Sequence, residues 1–99
     1  MTIKKKQEFV NRKPPEIVIC AAVVAEDGRI FRCHRHHQGF WILADLKIKR
    51  RPDHDAQGFI TSKNRYVNRK EALQLQQAAG IPSADPSGYG KELYSEDLY

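Results

Sequence analysis

The sequence predicts an α+β fold: a single domain in which a small antiparallel sheet packs against two helices. Three observations predict it. Short apolar runs rich in Ile and Val flank turn-forming residues, as paired antiparallel strands do. Each strand pair is followed by a stretch with helical spacing of its apolar residues. Ninety-nine residues suit one domain whose core is limited by its large surface-to-volume ratio, so a partner subunit would help it.

The elements follow in order. Residues 1–15, "MTIKKKQEFVNRKPP", read as a flexible basic lead closed by Pro14-Pro15, and the domain spans 16–99. "EIVICAAVVA", 16–25, has strand length and composition. Asp27-Gly28 is a hairpin signal, because glycine accepts the positive φ of tight turns, and Arg29 to Arg35 is the returning strand. In 36–50 the spacing of Phe40 and Leu43, with Ile42 and Leu46, favours a short amphipathic helix over a strand, although Gly39 weakens its start. A polar loop broken by Pro52 comes next. "GFIT", 58–61, and "RYV", 65–67, flank "SKN", a second hairpin turning at Asn64. Asn68 stands where an N-cap belongs, with Glu71 placed for a capping box. The second helix runs 69–79 with Ala72, Leu73, Leu75 and Ala79 inward, and Gly80 and Pro82 stop it. The ending "KELYSEDLY" carries Leu93, Tyr94, Leu98 and Tyr99 to bury, so it is expected to dock.

Composition excludes several classes. Hydrophobic residues at 40% are too many for a fully disordered chain. The longest apolar run, Ile17 to Ala25, falls far short of the roughly 20 residues that cross a bilayer. The lead has charges with no apolar stretch after them, unlike a signal peptide, so a cytoplasmic protein is expected. In that reducing compartment Cys20 and Cys33 read as free, packed thiols. Sixteen of the seventeen Lys and Arg lie in residues 1–70, and this basic part should attract an anion.

Three kinds of chemistry could use these residue types. "CHRHHQ" gathers Cys33, His34, His36 and His37, but neighbours on a strand point to opposite faces and the spacing is not that of a zinc site, so no metal is expected. No nucleophile signature or phosphate-binding glycine loop is present, so no catalytic residue, no cofactor and no enzyme is expected. Anion and base binding fits better. Arg35, with His36 after it, and Arg69, just after Asn68, lie at predicted helix starts, where guanidinium forks and unpaired backbone N–H groups suit phosphate. Phe59 offers a flat face for a base and Asn68 a hydrogen-bonding edge. On residue type alone Phe59 reads first as core, Asn68 as a simple cap and Arg69 as a solvated charge, and composition and spacing do not overturn that.

"DGRI", "RCHRHHQ", "QGFITSKNRYVNRKEALQLQQAAGI" and the closing "KELYSEDLY" together resemble a family of small phage proteins, the Thoeris anti-defence sponges of the first type, over residues 20–99. That resemblance implies a homo-oligomer, a dimer or larger ring, that traps cyclic ADP-ribose isomers made by TIR enzymes in the cytoplasm of the infected host. Some members also trap cyclic di- or trinucleotides, and none cleaves its ligand. It implies that Phe59 stacks on adenine, that Asn68 bonds near it and that Arg35 meets the pyrophosphate. Arg69 joins them from the helix-dipole argument. The family has an arginine before its final motif where this chain has Lys91, with Tyr89 as a further stacker. The competing reading is a small basic phage protein that binds nucleic acid, motivated by the +5 charge and "KIKRRP". A host-protein inhibitor comes third.

Overall fold

The computed structural model describes residues 15–99, and the basic lead, apart from Pro15, lies outside them. Four strands, β1 (Val18–Val24), β2 (Ile30–Cys33), β3 (Gln57–Thr61) and β4 (Tyr66–Asn68), form one antiparallel sheet in the order β2-β1-β3-β4. Helix α1 (His36–Asp45) follows β2 and helix α2 (Arg69–Ala78) follows β4, which makes the domain α+β. Both hairpins turn where expected, on Gly28 at φ 91° and Asn64 at φ 61°. Asn64 also accepts a hydrogen bond from Arg32, tying the two turns' strands together.

Alternate residues of the strands face the helices. Ala21, Phe59 and Val67 meet Ala72, Leu73 and Leu93 in one buried cluster, while Val23 and Ala25 meet Leu43 in the other. Burial of these apolar side chains is the main stabilising term for a domain of this size. Helix α1 buries His36, Gly39 and Leu43, and leaves Ile42 and Leu46 exposed together with Trp41. Gly39 therefore has a positive role. A Cβ there would lie 2.7 Å from Val23 Cγ2 and 2.9 Å from Cys33 Sγ, so its bare backbone lets α1 touch the sheet.

In α2, Ala72 and Leu73 are buried as expected, Leu75 is partly buried, and Gln76 is buried as well. Gln76 is satisfied there, because its Oε1 accepts the Val18 amide at 2.8 Å. Asn68 caps the helix by accepting the Glu71 amide at 2.9 Å. The Glu71 carboxylate turns away to Arg65, at 3.6 Å, in place of the expected capping box.

The tail docks through two of the four expected residues, Leu93 and the partly buried Leu98. Leu93 is fully buried, whereas Tyr94 and Tyr99 remain about two-fifths exposed. A short 3-10 turn, Ser95–Asp97, buries Asp97, whose carboxylate accepts the Ser83 hydroxyl at 2.5 Å and the Tyr94 amide at 2.9 Å. Among the described residues no helix is long and apolar enough to cross a membrane.

Candidate functional site

The start of α2 opens into a cavity of about 450 Å³ lined by His54, Asp55, Asn68, Arg69, Lys70 and Glu92. Three segments build it. The 3-10 turn His54–Ala56 enters β3, the Asn68 cap joins β4 to α2, and Glu92 comes from the tail just before the anchored Leu93. The Leu93 amide donates to the Arg69 carbonyl at 3.0 Å, which clips that wall to the helix.

Arg69 is the centre of the arrangement. Its Nη2 donates to Gln57 Oε1 at 2.5 Å and stands 3.5 Å from His36 Nδ1. Its Nη1 is 3.9 Å from Glu92, and its guanidinium lies over the Tyr94 ring at 4.9 Å. Its buried Nε has no partner among the described residues. The guanidinium is held in place yet keeps donor capacity.

His36 explains part of this placement. Its Nε2 is 2.8 Å from the Gly58 carbonyl, which can only accept, so Nε2 carries the proton and Nδ1 turns a lone pair toward Arg69. Burial pushes the His36 pKa below the ordinary imidazole value. The Gly58 hydrogen bond opposes that shift, neighbouring Arg69 adds to it, and Glu96 opposes it. A neutral imidazole is the form that fits beside a cation. The Phe59 ring meets His36 edge-on at 5.1 Å. Each residue of "QGF" thus serves the site from behind: Gln57 holds Arg69, Gly58 holds His36, and Phe59 supports the imidazole.

The remaining sequence-predicted residues sit apart from the cavity. Phe59 is fully buried among Ala21, Val67 and Leu73, so within this chain its ring has no face to offer a base, a correction to its expected stacking role. The cause is the strand period: Phe59 pairs Ala21 and Val67 on the side that the helices cover. Arg35 turns to the tail, where its guanidinium lies 5.3 Å from the Tyr99 ring centre and donates to the Tyr99 backbone oxygen. Tyr99 also stacks on His34 at 4.0 Å. Tyr89 packs against the core and donates its hydroxyl to the Ile81 carbonyl, bracing the loop. Lys91 is exposed and does not line the cavity.

Sequence reasoning missed Gln57, Lys70, Glu92 and Tyr94 as site residues, because they converge on Arg69 or its cavity from separate segments. The "CHRHHQ" side chains diverge: Cys33 packs on Gly39, His34 on Tyr99, His36 on Gly58 and His37 on Trp41. Among the described residues no group of three or more His, Cys, Asp or Glu is arranged to hold a metal ion.

A second cavity, of about 410 Å³, lies beyond Tyr94 and is lined by Asp85, Ser87, Gly88, Gly90, Glu96 and Asp97. Its carboxylates disfavour a phosphate.

No curated protein and no solved structure matches the chain. A family model described as phage T4 y16D protein matches residues 17–99, which is all of the sheet, both helices and the docked tail. On that match the chain belongs to the phage T4 y16D protein family.

Proposed function

We propose that this phage protein captures a cyclic nucleotide immune signal, a cyclic ADP-ribose isomer or a related cyclic di- or trinucleotide, and holds it intact in the cytoplasm of the infected bacterium. The observation that carries the reading is Arg69, braced by Gln57, His36 and the Tyr94 ring at the edge of a nucleotide-sized cavity. Phosphate oxygens meet Arg69 and Lys70. The Asn68 oxygen is spent on the cap, so its amide donates to the ligand. His54, the one ring among the six lining residues, takes the stacking role in place of Phe59.

Neither free thiol lines the cavity, and burial pushes Cys33 up to about 11 and raises Cys20 as well, so attack by a cysteine is no part of the proposal. Removal of free signal by mass action is then the whole mechanism. Two charge-assisted contacts of about 1.5–3 kcal/mol each and a stacking contact of about 1–3 kcal/mol give part of the roughly 12 kcal/mol that nanomolar retention requires. The prearranged guanidinium lowers the ordering cost. Pairing with a second copy belongs to the same proposal, supported by the exposed Trp41, Ile42 and Leu46 of α1, and light scattering on the purified protein tests it.

The decisive experiment incubates the protein with cyclic ADP-ribose isomers and cyclic di-AMP, removes free nucleotide, heats the protein and identifies what is released. Intact nucleotide is expected. Absence of any retained nucleotide overturns capture, and a cleaved product overturns capture without chemistry. Retention of duplex DNA in a steeply salt-dependent manner, with no retained nucleotide, favours the nucleic-acid reading.

A further inference from the structure

We infer that the cavity at the start of α2 selects ligands by their free ribose hydroxyls, and that Glu92, with Asp55 in the same lining, is the residue that reads them. The inference rests on the nucleotide reading above and concerns what that reading leaves unexplained. A site for phosphate alone has no use for carboxylates, yet this lining sets Asp55 and Glu92 against Arg69 and Lys70, in formal charge balance.

Neutralising Arg69 does not account for Glu92. The same molecule shows what a committed ion pair looks like: Glu16 receives Arg65 through Nε at 2.7 Å and Nη2 at 2.9 Å, one bond on each carboxylate oxygen. Glu92 instead stands 3.9 Å from Arg69, beyond hydrogen-bond distance, and accepts one long bond of 3.3 Å from the Tyr94 hydroxyl. The Asp55 side chain accepts no hydrogen bond among the described residues, where its backbone carbonyl takes the Tyr66 hydroxyl at 2.5 Å. Two carboxylates therefore face the cavity with open acceptor positions.

Carboxylates accept, and an ionised phosphate has no hydrogen to give. Their partner must be an O–H or N–H of the ligand. Position chooses between them. Glu92 lies within 4 Å of the guanidinium that would hold phosphate. In a nucleotide the sugar hydroxyls are the donors nearest the phosphate, while an adenine amino group lies at the far end. Phosphate on Arg69 therefore sets the ribose against Glu92. A carboxylate opposite a hydroxyl-bearing sugar also discriminates, because a bound ligand covers the part-exposed Glu92, and one without the hydroxyl leaves that covered acceptor unmet.

The test measures binding by calorimetry of cyclic ADP-ribose and cyclic di-AMP, each against the counterpart that lacks its free ribose hydroxyls, with wild type, Glu92→Gln and Glu71→Gln. Glu71 lies outside the cavity lining and serves as the charge control. Wild type and Glu71→Gln should prefer a ribonucleotide by roughly tenfold to a hundredfold, and Glu92→Gln should lose most of that preference at an unchanged melting temperature. Equal binding of ribo and deoxy forms by wild type overturns the inference and leaves nucleotide capture standing. A preference that survives unchanged in a folded Glu92→Gln also overturns it. Failure of wild type to bind any of the four overturns both.

Discussion

The two helix starts make an instructive pair. Both carry an arginine beside the first turn, Arg35 at α1 and Arg69 at α2, and in the sequence both suit an anion. The fold treats them in opposite ways. Arg35 is covered by the tail, with Tyr99 against its guanidinium. Arg69 is braced from behind and faces open space. The positive end of a helix is thus a capacity, and what the rest of the chain lays across it decides whether a ligand can use it. His36 connects the two, since it opens α1 and turns its ring toward Arg69.

The most damaging way to break the contrast is Phe59→Ala. The ring sits in the core behind His36, so its loss should lower unfolding stability by about 3–5 kcal/mol, read by denaturant titration, and weaken binding only through unfolding. A Phe59→Ala protein of normal stability that no longer retained nucleotide would instead return the ring to the ligand.

Arg69→Ala against Arg35→Ala sharpens the contrast directly. The first should weaken nucleotide binding by roughly tenfold to a hundredfold, and the second should leave it near wild type while loosening the tail, both measured by calorimetry and thermal melting. Equal losses would show that the two starts act on one ligand.

Asn68→Ala should cost about 1 kcal/mol of stability through the lost cap, with a further drop in affinity that the Arg35 variant does not show.

The smallest effect is on pH. His36 has its folded pKa below the ordinary value of 6.5, chiefly through burial, so the unfolded chain binds a proton that the folded one refuses. The stability it contributes is present above 6.5 and is lost as pH falls from there through the lower folded value. Glu16 acts in the same direction lower down. Hydrogen bonds from Arg65, then Thr61, hold it at about 2, so its contribution is present above the ordinary carboxylate value of 4.5 and is lost as pH falls toward 2. Melting temperature against pH should decline in two stages, and His36→Gln should remove the upper one.

How far the sequence disclosed this can be judged residue by residue. The hairpins, the Asn68 cap and the Gly80 stop were legible because each is decided within a few residues, by who tolerates positive φ or accepts an N–H. Asn68 and Arg69 were likewise found from their place at a helix start. Phe59 was ambiguous because alternation assigns two faces but not which one the helices cover. Gly39 read as a weakness in α1, since the need for a bare backbone lies on the opposing strand, at Val23 and Cys33. Gln57, Glu92 and Tyr94 could not be seen together at all, because no spacing in the chain records that they meet around one guanidinium.

The bond from the Leu93 amide to the Arg69 carbonyl has a practical consequence. That single proton sits in the interior, on the seam between the helix and the segment bearing Glu92, and it trades with solvent only when the seam parts. Its exchange with deuterium is a clock for the opening of the cavity. A molecule that bridges both walls slows the clock, and one that settles elsewhere on the surface leaves it running at its old rate.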